Sequence, residues 1–207
     1  TQMNPDIAAS RQRVDTVLAG QVAAMRKAYP VDIREDTIAG VPVRVVTPAN
    51  GRFDRERVLI NLHGGAFSVC WDACSLLESV PIASLGGYKV VSVNYRMAPE
   101  YKHPAGVEDA AKVYADLLKL YEAEDIGIYG CSAGGALTAQ TAAWLPAHGL
   151  PQAGAVGIFG AGGVRFMAGD SAYIAGYADG SFPPPTPKTG GKDGQAPDMT
   201  RGYFDGA

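Results

Sequence analysis

The sequence predicts a doubly wound α/β domain on a mostly parallel sheet, preceded by an antiparallel hairpin. Two observations carry this. Short β-branched runs alternate with longer helical stretches between residues 58 and 159, the pattern of a parallel sheet with right-handed crossovers. Ahead of them, residues 31–47 form two extended runs about Ala39-Gly40, with Val41, Val43 and Val45 alternating in the second.

The elements follow in order. Asn4-Pro5 supplies a helix cap and a proline at the first helical position, and Pro30 marks the stop. Between them Ile7, Val14, Leu18, Val22, Met25 and Tyr29 form one apolar face. That helix either packs on its own domain or covers the mouth of a pocket. Val58 to Leu62 is the first parallel strand and runs into Gly64-Gly65, and a helix over Ala73–Leu85 follows. Lys89–Val93 is the next strand, then a helix from Ala105 to Tyr121. Ile126–Tyr129 opens into Gly130 and a helix through Trp144, and Ala153–Phe159 is a fourth run. Past Phe159 the pattern fades. Residues 160–181 are rich in Gly and Ala, and read as a flexible loop or as a border of a site at Gly160 to Met167. Residues 182–207 carry five prolines, Pro183, Pro184, Pro185, Pro187 and Pro197. They read either as a solvated tail or as a segment lining a site.

Composition narrows the function classes. Lys and Arg number 18 against 21 Asp and Glu, a net charge of −3, without the basic surplus of a nucleic-acid binder. No apolar run reaches the ~18 residues of a membrane helix, and residues 1–10 lack a signal peptide's basic and apolar blocks. Three cysteines, Cys70, Cys74 and Cys131, read as buried free thiols in a reducing, cytoplasmic setting rather than as a disulfide framework. Three scattered histidines and the Cys70/Cys74 pair do not make a metal site. No phosphate-cradling glycine loop is present, so neither metal nor cofactor is expected.

The chemistry is concentrated in two segments. Gly130-Cys131-Ser132-Ala133-Gly134 follows a short strand and begins a helix, the strand–turn–helix setting that lifts a serine Oγ above a sheet edge. The helix N-terminus then offers free N–H groups to a developing oxyanion. Upstream, His63-Gly64-Gly65-Ala66-Phe67 ends the first parallel strand. The N–H groups of Gly64 and Gly65, with that of Ala133, are expected to form a three-donor oxyanion hole. Cys131 is expected to turn its thiol away from Oγ, into the sheet.

These segments, together with Asn94-Tyr95-Arg96-Met97-Ala98-Pro99-Glu100 running on to His103-Pro104-Ala105, resemble the hormone-sensitive-lipase-like family of α/β-hydrolases. Its members include bacterial esterases related to arylacetamide deacetylase. The resemblance covers roughly residues 30–160; one departure is Ala66, where the family commonly has a third glycine. It implies an α/β-hydrolase-type sheet that is incomplete at its C-terminal end. Residues 1–30 would be a cap helix, 31–160 the N-terminal part of the core, and 161–207 a lid or loop segment. It further implies that Ser132 is the nucleophile of a carboxylesterase acting on short-chain acyl or small aromatic esters. His63 would brace the oxyanion loop, and Arg96, buried and paired with an acid, would be structural, as would Glu100.

A serine nucleophile needs a base, and the base needs an orienting acid. His148 is the only histidine after Ser132. With a helix between them it lies ~24 Å along the axis, far beyond the ~3 Å of a hydrogen bond. His103 lies before the serine in a different loop and has no family precedent as base. The resemblance implies that the triad Asp and His lie in a further C-terminal part, so the expected partner is that complementary part of the same protein, with the chain nicked or split in the Pro/Gly-rich end beyond Ser181. The competing reading is a non-catalytic ligand-binding module on a hydrolase scaffold.

Overall fold

A computed structural model describes residues 7–161 and two short strands beyond them, Val164–Ala168 and Ser171–Ala175. Helix α1 (Ile7–Ala28) leads into the hairpin of β1 (Val31–Ile38) and β2 (Val41–Pro48), which turns at Ala39 (φ 50°) and Gly40 (φ 80°). There follow β3 (Asp54–Leu62), α2 (Trp71–Gly86), β4 (Tyr88–Val93), α3 (Ala105–Leu117), β5 (Ile126–Cys131), α4 (Ala133–Ala147) and β6 (Ala155–Phe159). These make a six-stranded sheet in the order β1-β2-β4-β3-β5-β6. β4, β3, β5 and β6 are parallel, while β1 and β2 run antiparallel at one side.

The predicted strands and helices are found, with ends shifted by a few residues. α3 stops at Leu117, and the chain to Tyr121 continues as tight turns onto the Leu117 carbonyl. The core lies where α3 and α4 cover the sheet. Val43, Val58, Ile60, Leu62, Val93, Val113, Tyr114, Ile126 and Leu145 there are fully buried. Burying one such side chain is worth about 1.5–3 kcal/mol. The inner strands β3 and β5 have both faces covered, which is why they read as apolar runs rather than as alternation.

α1 places Ile7, Val14, Leu18, Val22, Met25 and Tyr29 on a half-buried stripe, none of them fully buried. The helix packs on α2. Its fixed points are polar. Arg11 donates from Nη1 and Nη2 to the two carboxylate oxygens of Glu100 (2.7 and 2.8 Å), and also to the carbonyls of Ser68 and Ala98. Asp15 accepts the N–H of Ala73 at 3.0 Å. Asn4 and Pro5 lie outside the described residues.

Three expectations need correction. Cys70 and Cys74 are not free thiols. Cys70 sits in a left-handed conformation (φ 78°) immediately before α2, which brings its side chain onto Cys74 one turn along, and the two form a disulfide. Only Cys131 is free, so the free-thiol argument for a reducing compartment falls away. Arg96 is half-exposed rather than buried. Its guanidinium lies against Asp109 (2.8 Å) and Glu108 (2.9 Å), and the buried partner is Asp109. Beyond Gly160, where a loop was expected, Val164–Ala168 and Ser171–Ala175 pair as an antiparallel hairpin. Residues 176–207, including the proline-rich stretch, lie outside the described residues. Among the described residues no helix is long and apolar enough to cross a membrane, and no cluster of His, Cys, Asp and Glu could hold a metal ion.

Candidate active site

β5 delivers the chain to Ser132, and α4 begins on the next residue. Ser132 has φ 54° and ψ −121°, a combination few L-residues adopt and one that costs on the order of 1–3 kcal/mol. Two glycines make the turn possible. A Cβ on Gly134 would sit 1.8 Å from the Leu62 carbonyl oxygen, and one on Gly130 would sit 2.3 Å from the same atom. Both contacts are backbone on backbone, so the end of β3 and the start of α4 can approach only without side chains here. Ser132 N–H donates to the Phe159 carbonyl (2.8 Å), which extends the β5–β6 ladder to the serine itself.

The loop after β3 meets this elbow. A Cβ on Gly64 would lie 3.6 Å from Ser132 Cβ and 2.9 Å from the Cys131 carbonyl oxygen. The two segments singled out in the sequence are therefore neighbours. The loop itself is tightly wound: Gly65, Ala66 and Phe67 all have positive φ (116°, 52° and 58°), and Gly65 accepts the N–H groups of Ser68 and Val69.

The donors are arranged differently from the sequence expectation. Gly64 N–H is already given to Oε1 of Glu78 at 2.8 Å, so Gly64 is not a free donor. Among the described residues the N–H groups of Gly65 and Ala66 have no acceptor. Ala133 is the first residue of α4, where the N–H has no intrahelical partner. Glu78 was not anticipated. It sits one element away on α2, in an unremarkable apolar-polar pattern, and nothing in its sequence neighbourhood marks it.

His63 is fully buried. Its Nδ1 lies 2.7 Å from the Gly64 carbonyl oxygen, so Nδ1 carries the proton and donates. Because the peptide is planar and trans, fixing the Gly64 carbonyl also fixes the Gly65 N–H on the opposite side. The ring stacks on Tyr95 (4.5 Å between centroids) and tilts against Trp71 (5.4 Å), and Tyr95 OH donates to the His63 carbonyl at 2.7 Å. Nε2 is buried without a partner. Burial pulls the imidazole down to about pKa 4, so it is neutral at physiological pH and acts as a brace.

The other histidines are elsewhere. His148 ends α4, stacked on Trp144 and bonded through Nδ1 to the Trp144 carbonyl. His103 is exposed in the loop before α3. Cys131 is half-buried, and burial pushes its thiol up, away from the thiolate form.

The comparisons with known proteins agree with this geometry. A family model described as alpha/beta hydrolase fold matches residues 59–178. Rabbit (Oryctolagus cuniculus) arylacetamide deacetylase is 39% identical over 124 residues, which are 56% of this chain and 31% of that enzyme. The crystal structure of esterase E25 superposes with a TM-score of 0.67 at 28% identity, covering 77% of this chain and 48% of that one. A hormone-sensitive-lipase homologue from a metagenome library, EstE7, gives a TM-score of 0.57 at 28% identity, covering 74% and 55%. The chain thus spans about a third to a half of the length of these relatives. With its strand–serine–helix elbow seated against a glycine loop, and similar in structure to a hormone-sensitive-lipase homologue, the chain belongs to the alpha/beta hydrolase fold family.

Proposed function

We propose that this chain carries the nucleophile and the oxyanion donors of a serine carboxylesterase acting on short-chain acyl or small aromatic esters. The observation that carries the reading is Ser132 held at φ 54° and ψ −121°, on the tip of the elbow and against the Gly64–Ala66 loop. Strain of this kind persists where the surroundings enforce it, and here Leu62, Gly130 and Gly134 enforce it.

In the proposed reaction Ser132 Oγ attacks the ester carbonyl carbon while a base removes the hydroxyl proton. The carbonyl oxygen becomes an oxyanion, received by the N–H groups of Gly65, Ala66 and Ala133. Ala66 takes the place of Gly64, whose N–H is committed to Glu78. Collapse expels the alcohol, which takes the proton from the base. Water then attacks the acyl-enzyme by the same route and releases the acid. None of His63, His103 or His148 is placed to serve as the base. The proposal therefore assigns the base histidine and its carboxylate to a C-terminal part of the protein that this chain does not contain.

The test is labelling of the full-length protein with a fluorophosphonate, followed by peptide mapping and assay on a chromogenic butyrate ester. Labelling at Ser132, with loss of both label and turnover in Ser132→Ala, is expected. Undiminished turnover in Ser132→Ala would exclude it, and a binding module on a hydrolase scaffold would become the better account.

A further inference from the structure

A carboxylate reaches both halves of this site from outside it. Glu78, on α2, accepts the Gly64 N–H on Oε1 (2.8 Å) and Asn61 Nδ2 on Oε2 (2.9 Å). The backbone of Cys131, the residue before the proposed nucleophile, also helps to hold this carboxylate's pKa down. The main-chain carbonyl of Glu78 also accepts from Tyr129 OH on β5 at 3.1 Å. One α2 residue is thus bonded to the strand before the oxyanion loop, to the loop, and to the strand that delivers Ser132.

The carboxylate is itself held in place. Asn61 is fully buried, and its Oδ1 accepts from Ser92 Oγ (2.7 Å) and Ser79 Oγ (3.4 Å). That fixes which way its amide group points and therefore where Oε2 must lie. Hydrogen bonds to an ionised acceptor are about twice as strong as neutral ones. Two of them converging on one half-buried group is a costly arrangement to maintain, since burial raises the carboxylate's pKa and these donors, with the Cys131 backbone, counter it.

We propose that Glu78 is a positioning residue for catalysis, holding the His63–Gly64 peptide of the loop and, through Tyr129 and the nearby Gly130–Cys131 peptide, the end of β5 at a fixed separation. The free N–H groups of Gly65, Ala66 and Ala133 then converge on one point above Ser132 Oγ. The inference rests on the assignment of Ser132 as nucleophile. Glu78 touches neither substrate nor the reacting atoms; it acts through the two backbones. Its effect belongs to the transition state, because the oxyanion forms only there, so the clamp sets kcat and leaves substrate binding alone.

The experiment compares wild type, Glu78→Gln and Glu78→Ala in the full-length protein. It measures kcat per fluorophosphonate-titrated site, KM, inhibition by an alkyl trifluoromethyl ketone, and the melting temperature. The ketone forms an oxyanion on the serine and so reports the hole directly. Glu78→Ala is expected to lose about 100-fold in kcat, the scale of one oxyanion donor, with KM within about twofold. Its affinity for the ketone should fall in parallel. Glu78→Gln, with one carbonyl oxygen for two donors, is expected to lose about tenfold in kcat and in ketone affinity at a melting temperature close to wild type. If Glu78→Ala fails to fold, the glutamine variant decides. Unchanged kcat and ketone affinity in a folded variant would overturn the clamp while leaving the nucleophile assignment intact. Wild type that takes no label at Ser132 would sink both.

Discussion

Ser132 and His63 show how local physics is spent on a site. The serine is held in a backbone conformation that glycine adopts more readily. Ser132→Gly should therefore stabilise the fold by about 1–2 kcal/mol while removing the proposed nucleophile. Urea denaturation of both proteins checks this, and equal midpoints would mean the elbow carries no strain. For His63 the sign follows from its depressed pKa. The unfolded imidazole takes a proton near pH 6.5, whereas the folded one resists until about pH 4. Stability is therefore fully present above pH 6.5 and falls as the pH drops toward 4. The loss approaches about 3 kcal/mol at 1.36 kcal/mol per unit. His63→Gln should flatten that slope, and an unchanged slope would place the titration elsewhere. Both residues stood out in the sequence because glycines flank them. Glu78 did not, because what distinguishes it is its bonds to β3, the loop after β3 and β5, and no spacing along α2 encodes them.

Among the elements, α1 separates what periodicity shows from what it hides. Its apolar stripe was readable at helical spacing, and those positions are the half-buried ones. Its tether was not readable, since Arg11 reaches Glu100, Ser68 and Ala98, residues remote in the chain. Ser68 lies in the glycine loop after β3, so this arginine ties the helix to that loop. Exposed ion pairs contribute little, and the expected effect of Arg11→Ala is local. Amide exchange in α1 should quicken about fivefold with the sheet unchanged. Identical α1 exchange in the two proteins would show that the apolar stripe alone docks the helix. The Cys70–Cys74 disulfide was misread for a similar reason. A spacing of four on a helix does not by itself join two thiols, and the left-handed turn at Cys70 supplies the geometry. The hairpin strands Val164–Ala168 and Ser171–Ala175 were missed because each is five residues long and holds polar–apolar alternation for too few of them to be recognised as a strand.

Across the whole molecule, the sheet order β1-β2-β4-β3-β5-β6 places the two site segments on adjacent strands. β3 ends at the glycine loop and β5 at the elbow, and both lie at the carboxyl ends of parallel strands, where open α/β sheets bind ligands. The sequence by itself determined the alternation of strand and helix, the N-terminal hairpin, the serine elbow and its glycine loop. Each is written in residues close together in the chain: hydrophobic period, turn residues and glycines where no Cβ fits. Only the tertiary structure decided which N–H groups of that loop remain free, which carboxylate takes the Gly64 N–H and which cysteines join. Those outcomes depend on main-chain donors, which are the same for every residue but proline, meeting side chains from other elements. No pattern along the chain records where such groups meet in space.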